Sequence, residues 1–347
     1  MSRPIENKHP LGDLAYSQSV ETRLPEGSVE LEISVVVPVY QGEFTLRPLI
    51  EAIESLTNGA QTPAGRAFRV IEVILVDDCG PDRSDLVISS LAVEFGFVRP
   101  ARMMRNYGEH AAVAAGIGLT HGQWVVTLDE DFQHDPSQIG LILDGAVETD
   151  AHLVYGSSSQ SKVHPRWRRA SSTASKRIIK ALFGGHATTF CSYRLIEGDR
   201  AREAARSMTY RTYLDVALTW TCGRVHEVPI EPGRELRSHS GYSLGSLLSH
   251  FWMLVLSSGT RPLRFVSALG VLAVLFASVG SVFVAYGVIW GDSDVRGWAS
   301  IFVLVLGSSG LVLFALGVIA EYVGAVLSVA RGRPAFVLLQ EDTEDHH

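Results

Sequence analysis

Residues 33–39 read ISVVVPV, one isoleucine and four valines with no charge among them. A β-branched run without polar alternation is the pattern of a strand buried on both faces. Residues 70–76 (VIEVILV) and 124–128 (WVVTL) have the same character, and 99–104 and 153–155 are weaker versions of it. Helical stretches are expected between them, over 44–56, 82–95, 109–120 and from Pro136, which suits a first helical turn, to about residue 147. Strand–helix alternation of this kind predicts an open parallel sheet with helices on both faces. Such sheets bind ligands beyond the carboxyl ends of their strands. That directs attention to residues 38–43, 77–82 and 129–135.

The chain has 347 residues, 46% hydrophobic and only 19% charged, so most of it has enough apolar surface to fold. Three scattered cysteines staple nothing, and they read as reduced thiols. A net charge of −7 argues against general nucleic-acid binding. The apolar residues are concentrated toward the C-terminus. Residues 265–290 and 298–320 hold no charge at all, and each run exceeds the ~20 residues a helix needs to cross a bilayer. The linker at 291–297 carries Asp292, Asp294 and Arg296, whereas Arg261 and Arg264 precede the hairpin and Arg331 and Arg333 follow it. The positive-inside rule then puts both termini in the cytoplasm, with Trp290 and Trp298 at the far interface. Residues 1–30 lack an apolar signal core and are expected to be a flexible tail. The expected division is a tail (1–30), a catalytic α/β domain (31–235), a juxtamembrane segment (236–263), two spans (264–325) and a cytosolic tail (326–347).

Neither a GxGxxG after the first strand nor a GxxxxGK[ST] is present, which disfavours dehydrogenase-type dinucleotide binding and P-loop chemistry. Residues 127–133, TLDEDFQ, offer carboxylates instead. Asp129 and Asp131 are two apart at a strand end and, if extended, project to one side. With the Gln133 carbonyl they form an oxygen donor set suited to Mg2+ or Mn2+ beside a diphosphate. Asp77-Asp78 ends the second strand, where a carboxylate can meet a nucleobase or ribose edge. From Asp150 to Glu197 the intervening residues include no acid, while Arg166, Arg168, Arg169, Lys176 and Arg177 are interleaved with Trp167, Ile178 and Ile179. That pattern suits an amphipathic helix on an anionic membrane surface and donors to a lipid phosphate. A second interfacial helix is expected at 244–256, and Arg234 or Arg237 is placed on a loop closing over the donor.

The segments SVVVPVYQGE, EVILVDDCGPDRS, RNYGEHAAVAAGI and TLDEDFQHDP together resemble family 2 glycosyltransferases with a GT-A fold. The similarity is greatest to the polyprenyl-phosphate branch, which includes dolichol-phosphate mannose synthase and undecaprenyl-phosphate sugar transferases. It extends through Tyr193-Arg194-Leu195, Ser240-Gly241-Tyr242-Ser243 and Glu321-Tyr322-Val323-Gly324 to Arg333-Pro334. The resemblance implies a GT-A (Rossmann-like) cytosolic domain with interfacial helices and a two-helix transmembrane hairpin. It implies nucleotide contacts from Pro38, Tyr40, Glu43, Asp78 and Asp129, metal ligation by Asp129, Asp131 and Gln133, and catalytic roles for Asp129, Asp131 and Arg194, with Arg194 on the phosphates or acceptor. The lipid phosphate falls to Arg166, Arg168, Arg169, Lys176 and Arg177. The chain departs from many relatives in having Cys191-Ser192 where Gly-Asp is common, and Cys79-Gly80 where Gly-Ser is common. The implied activity is inverting transfer of a sugar from a nucleotide-diphosphate sugar to polyprenyl phosphate at the cytoplasmic membrane, for cell-envelope glycan assembly. A processive polysaccharide synthase or a non-catalytic sugar-nucleotide sensor are the alternatives. Small residues in the second run (Gly307, Ser308, Ser309, Gly310) are compatible with a homo-oligomer.

Overall fold

The computed structural model describes residues 30–158, 191–210, 212–231 and 297–339, with isolated positions between 266 and 286. The basic segment with Arg166, Arg168, Arg169, Lys176 and Arg177, the juxtamembrane helix and the Arg234/Arg237 loop lie outside the described residues.

The decisive run forms β1 (Leu31–Val39), in which Ile33, Val35, Val36, Val37 and Val39 are wholly buried. Elements follow in the order α1 (Leu46–Glu54), β2 (Ala60–Gln61), β3 (Ala67–Asp77), α2 (Ser84–Glu94), β4 (Val98–Arg102), α3 (Glu109–Ile117) and β5 (Trp124–Thr127). After a short 3-10 turn at Pro136–Gln138 come α4 (Ile139–Thr149), β6 (Leu153–Ser158), β7 (Arg194–Glu197), α5 (Gly198–Ser207), α6 (Leu214–Thr221), β8 (Val225–Ile230) and α7 (Trp298–Ala330).

The strands make one eight-stranded sheet in the order β2-β3-β1-β5-β7-β6-β8, with β4 also paired to β3. β1 pairs in parallel with β3 and β5, so the chain winds outward to one side through β4 before β5 begins the other side. The reversal of winding lies between β1 and β5, where a ligand crevice is expected in this architecture. The sheet is mixed rather than wholly parallel. β7 runs antiparallel to both β5 and β6, and β2 is antiparallel to β3. Two apolar layers cover the faces, one including α1 and α4, the other including α3, α5 and α6.

α7 continues ten residues beyond the end expected at 320, reaching Ala330. Its Gly307–Ala330 portion is long and apolar enough to cross a membrane, the one such helix among the described residues. At 1.5 Å per residue those 24 residues span about 36 Å, against ~30 Å of hydrocarbon. Leu304, Leu313, Phe314 and Val323 are exposed, as lipid-facing side chains are. Within the first expected span the described positions, such as Leu272, Leu275 and Val279, are helical and exposed, and the rest of that span lies outside the described residues. After α7 the chain returns to the sheet. Leu338 bridges Met103 in antiparallel sense, with Met104 N–H to the Val337 carbonyl at 2.9 Å and Leu339 N–H to the Arg102 carbonyl at 2.8 Å.

Candidate active site

Because β3, β1 and β5 are neighbours, their carboxyl ends bring three loops together. Carboxylates knit these loops by accepting backbone N–H groups. Glu130, which is buried, accepts from Tyr40 N–H at 2.9 Å and from Gln41 N–H at 3.0 Å, tying the loop after β1 to the loop after β5. Asp78 accepts from Tyr107 N–H at 2.7 Å and Gly108 N–H at 2.8 Å, tying the end of β3 to the entrance of α3. Gly42 N–H reaches the Ser84 hydroxyl at 2.7 Å, and Glu43 N–H reaches Asp82 at 3.1 Å. At Gly80 a Cβ would fall 1.6 Å from the Tyr40 carbonyl oxygen, so only glycine permits this approach.

Asp78 was expected to hold the nucleotide. Its carboxylate is instead only 3% exposed and both oxygens are committed to the Tyr107–Gly108 backbone. Burial pushes its pKa up, while those two N–H donors pull the other way. Its place in the structure is to fix the loop. Tyr40 is exposed and Glu43 and Pro38 are half-buried along the same rim, so these three remain available to a ligand.

Asp129 and Asp131 do not lie on an extended strand. β5 ends at Thr127, residues 130–132 turn, and Phe132 adopts a left-handed backbone with φ 64°. Both carboxylates act electrostatically on the ring of His134. His134 Nδ1 lies 3.6 Å from Asp129 Oδ2 and has no hydrogen-bond partner. Burial lowers the His134 pKa and outweighs the opposing pull of both acids. Gln133 is exposed, and its N–H donates to Asp131 Oδ1 at 3.0 Å. The Ser192 hydroxyl donates a short hydrogen bond to Asp129.

The carboxylate oxygens of Asp129 and Asp131 are the donor type a hard divalent cation prefers. Among the described residues no three acidic, histidine or cysteine side chains already converge as a ligand cluster. A cation here would complete its shell with water and substrate phosphate, as Mg2+ commonly does.

Arg194 corrects the sequence-based expectation most sharply. It is 2% exposed and its guanidinium grips Asp215 of α6 with two bonds, Nε to Oδ1 at 2.8 Å and Nη2 to Oδ2 at 2.9 Å. Its Nη1 reaches Thr127 Oγ1 and the Ser192 carbonyl, each at 3.3 Å, and Tyr155 donates to Asp215 at 2.8 Å. Burial opposes the charge, yet Asp215 outweighs it and holds the guanidinium pKa above its ordinary value. Arg194 therefore links Asp215 of α6 to the Thr127 hydroxyl and the Ser192 carbonyl beside Asp129. Glu130, Ser192 and Asp215 are the site residues sequence reasoning did not assign. Glu130 stands between Asp129 and Asp131 in the sequence, and nothing local marks Asp215.

Comparison with known proteins adds the following. The chain is 28% identical over 313 residues to an undecaprenyl-phosphate 4-deoxy-4-formamido-L-arabinose transferase of Pseudomonas paraeruginosa, covering 88% of this chain and 89% of the relative. It is 26% identical over 312 residues to the protein of the same name from Aeromonas hydrophila, covering 89% and 93%. Among solved structures, glucosyl-3-phosphoglycerate synthase from Mycobacterium tuberculosis aligns with a TM-score of 0.48 at 17% identity, over 67% of this chain and 79% of that one. Residues 34–201 match the Glycosyl transferase family 2 model.

Proposed function

We propose that this protein is a membrane-anchored glycosyltransferase that moves a sugar from a nucleotide-diphosphate donor to a polyprenyl phosphate at the cytoplasmic membrane face, with inversion at the anomeric carbon. The observation that carries the reading is the joining of two features in one body. An acidic turn at Asp129–Asp131 stands at the reversal of winding, and the tail of the apolar helix α7 is hydrogen-bonded to β4 of the same sheet. The names of the relatives, as undecaprenyl-phosphate transferases, agree with it.

A phosphomonoester acceptor explains why no general base is needed. Its second pKa is about 6, so it is a competent anion near neutral pH, whereas a hydroxyl must lose its proton as it attacks. A phosphate oxygen forms the new bond to the anomeric carbon, and the bond from that carbon to the donor's diphosphate oxygen breaks as nucleoside diphosphate leaves. The protein's tasks are positioning and charge management. Tyr40, Glu43 and Pro38 form the nucleotide rim, held in place by Glu130. Asp129, Asp131 and Gln133, with His134 beside them, would hold Mg2+ or Mn2+. That cation, when bound, neutralises the departing diphosphate. Ser192 holds Asp129 directly, and Arg194 in turn holds the Ser192 carbonyl and the Thr127 hydroxyl. The basic stretch with Arg166, Arg168, Arg169, Lys176 and Arg177 attracts the anionic lipid surface, and residues 264–325 anchor the domain with both termini cytoplasmic.

The test is a panel of labelled nucleotide sugars offered with polyprenyl phosphate to the full-length protein. One donor should give chloroform-extractable label that Asp131→Ala abolishes while the variant remains folded. Label that stays in the aqueous phase with every donor would overturn the proposal.

A further inference from the structure

Between the entrance of α3, the α5–α6 turn and the chain leaving α7 lies a cavity of about 310 Å³, near the lower end of the ~300–1,000 Å³ that small-ligand pockets occupy. Its walls include Arg105, Tyr107, Glu109, Tyr210, Thr212 and Arg333. Two guanidinium groups thus reach it from segments far apart in the sequence. Arg333 lies 3.6 Å over the ring of Tyr210, and Arg105 lies 4.6 Å over the ring of Tyr107. Stacking occupies the face of a guanidinium and leaves its five N–H donors, which lie in its plane, available for an anion. Neither arginine makes an ion pair among the described residues. The one carboxylate in the wall, Glu109, acts on the buried Arg194, so its charge is partly answered within the protein. The wall is also rigid, because Asp78 holds the backbone N–H groups of Tyr107 and Gly108.

Position beside the membrane anchor narrows the ligand. Arg333 follows the last residue of the apolar helix, Ala330, by three positions, at the end of that helix from which the chain returns to the sheet. On the functional reading above, the anion brought to that end of the anchor is a lipid phosphate. We propose that this cavity receives the phosphate of the polyprenyl acceptor, with Arg333 and Arg105 as its paired donors. The membrane anchor then contributes a wall of the acceptor site and does not merely tether the enzyme. This rests on the functional reading above.

The test compares Arg333→Gln and Arg105→Gln, in the full-length protein, with the wild type. The KM for polyprenyl phosphate and the KM for the nucleotide sugar are measured separately, and thermal melting verifies folding. Loss of a charge-assisted bond to phosphate should raise the acceptor KM by about tenfold or more in each variant, with the donor KM within about twofold of wild type. Polyprenol of the same length, lacking phosphate, should bind wild type and variants alike. An unchanged acceptor KM, or a donor KM that rises in parallel, overturns the assignment. If inorganic phosphate inhibits the wild type and loses its effect in the variants while the acceptor KM stays put, the cavity takes free phosphate and the lipid assignment falls. A wild type that transfers nothing to polyprenyl phosphate sinks the functional reading and this inference together. Transfer with an unmoved acceptor KM sinks the inference alone.

Discussion

Glu130 and Asp78 perform one task from two strands, since each presents both carboxylate oxygens to a pair of consecutive backbone N–H groups on a neighbouring loop. Buried N–H groups left without an acceptor are costly, so these acids fix the rim of the site more tightly than loop packing would. Glu130→Ala should lower stability by about 1–3 kcal/mol in chemical denaturation and raise the donor KM through Tyr40 and Gln41. Ser192 has a finer role. Its hydroxyl donates to Asp129, so Ser192→Ala should reduce kcat with little change in melting temperature, and equal losses of activity and stability would argue that the bond is only structural.

At the scale of elements, the Arg194–Asp215 pair joins β7 to α6 behind the acidic turn. Removing one partner of a buried ion pair strands the other charge, so Asp215→Ala should cost about 3–5 kcal/mol, measured by denaturant unfolding. The double replacement Arg194→Met with Asp215→Leu should recover much of that stability without recovering activity, because Thr127 and the Ser192 carbonyl would lose their donor. A second pair of acids sets the acid limit of the fold. Burial pushes Glu72 and Asp144 up, but hydrogen bonds from Ser34, Arg99 and His121 to the first, and from Thr62, Ala64 and Arg66 to the second, leave both pKa values below their ordinary range. Acids depressed in the folded state contribute stability that is present above their unfolded values, near 4, and lost as pH falls through the folded values. Acid unfolding should therefore steepen below about pH 4. Glu72→Gln should flatten that limb of the melting-temperature profile, and an unaltered limb would remove Glu72 from the cause. Asp77 and Asp78, raised by burial, work in the opposite direction.

The strands of β1, β3 and β5 were legible in the sequence because burial on both faces writes a β-branched run. β7 was not, since RLIE is four residues long and begins with an arginine whose burial depends on a partner twenty-one positions away. The site was legible as residue types but not as roles. Asp129 and Asp131 stand out by spacing, although they lie on a turn that runs into Phe132 and not on an alternating strand. Asp78 and Arg194 were placed on the ligand because charge at a strand tip resembles a ligand contact until its protein partners are known. Partners distant in sequence, such as Tyr107 for Asp78 and Asp215 for Arg194, are what decide the matter.

In the whole molecule, one apolar helix and the catalytic sheet are coupled by the segment that follows the helix, which makes a single antiparallel bridge, Leu338 to Met103, at the end of β4. Replacing residues 335–339 with a Gly/Ser linker, α7 being kept, should lower the melting temperature of the sheet and raise the acceptor KM, since the membrane and the site would no longer be held in fixed relation. The chemistry itself is tested most directly by comparing polyprenyl phosphate with polyprenol of identical chain length as acceptor, reading lipid-linked sugar and released nucleoside diphosphate together. We expect both products in equal amounts with the phosphate and neither with the alcohol. Equal turnover of the two lipids would contradict an acceptor that attacks as an anion already formed.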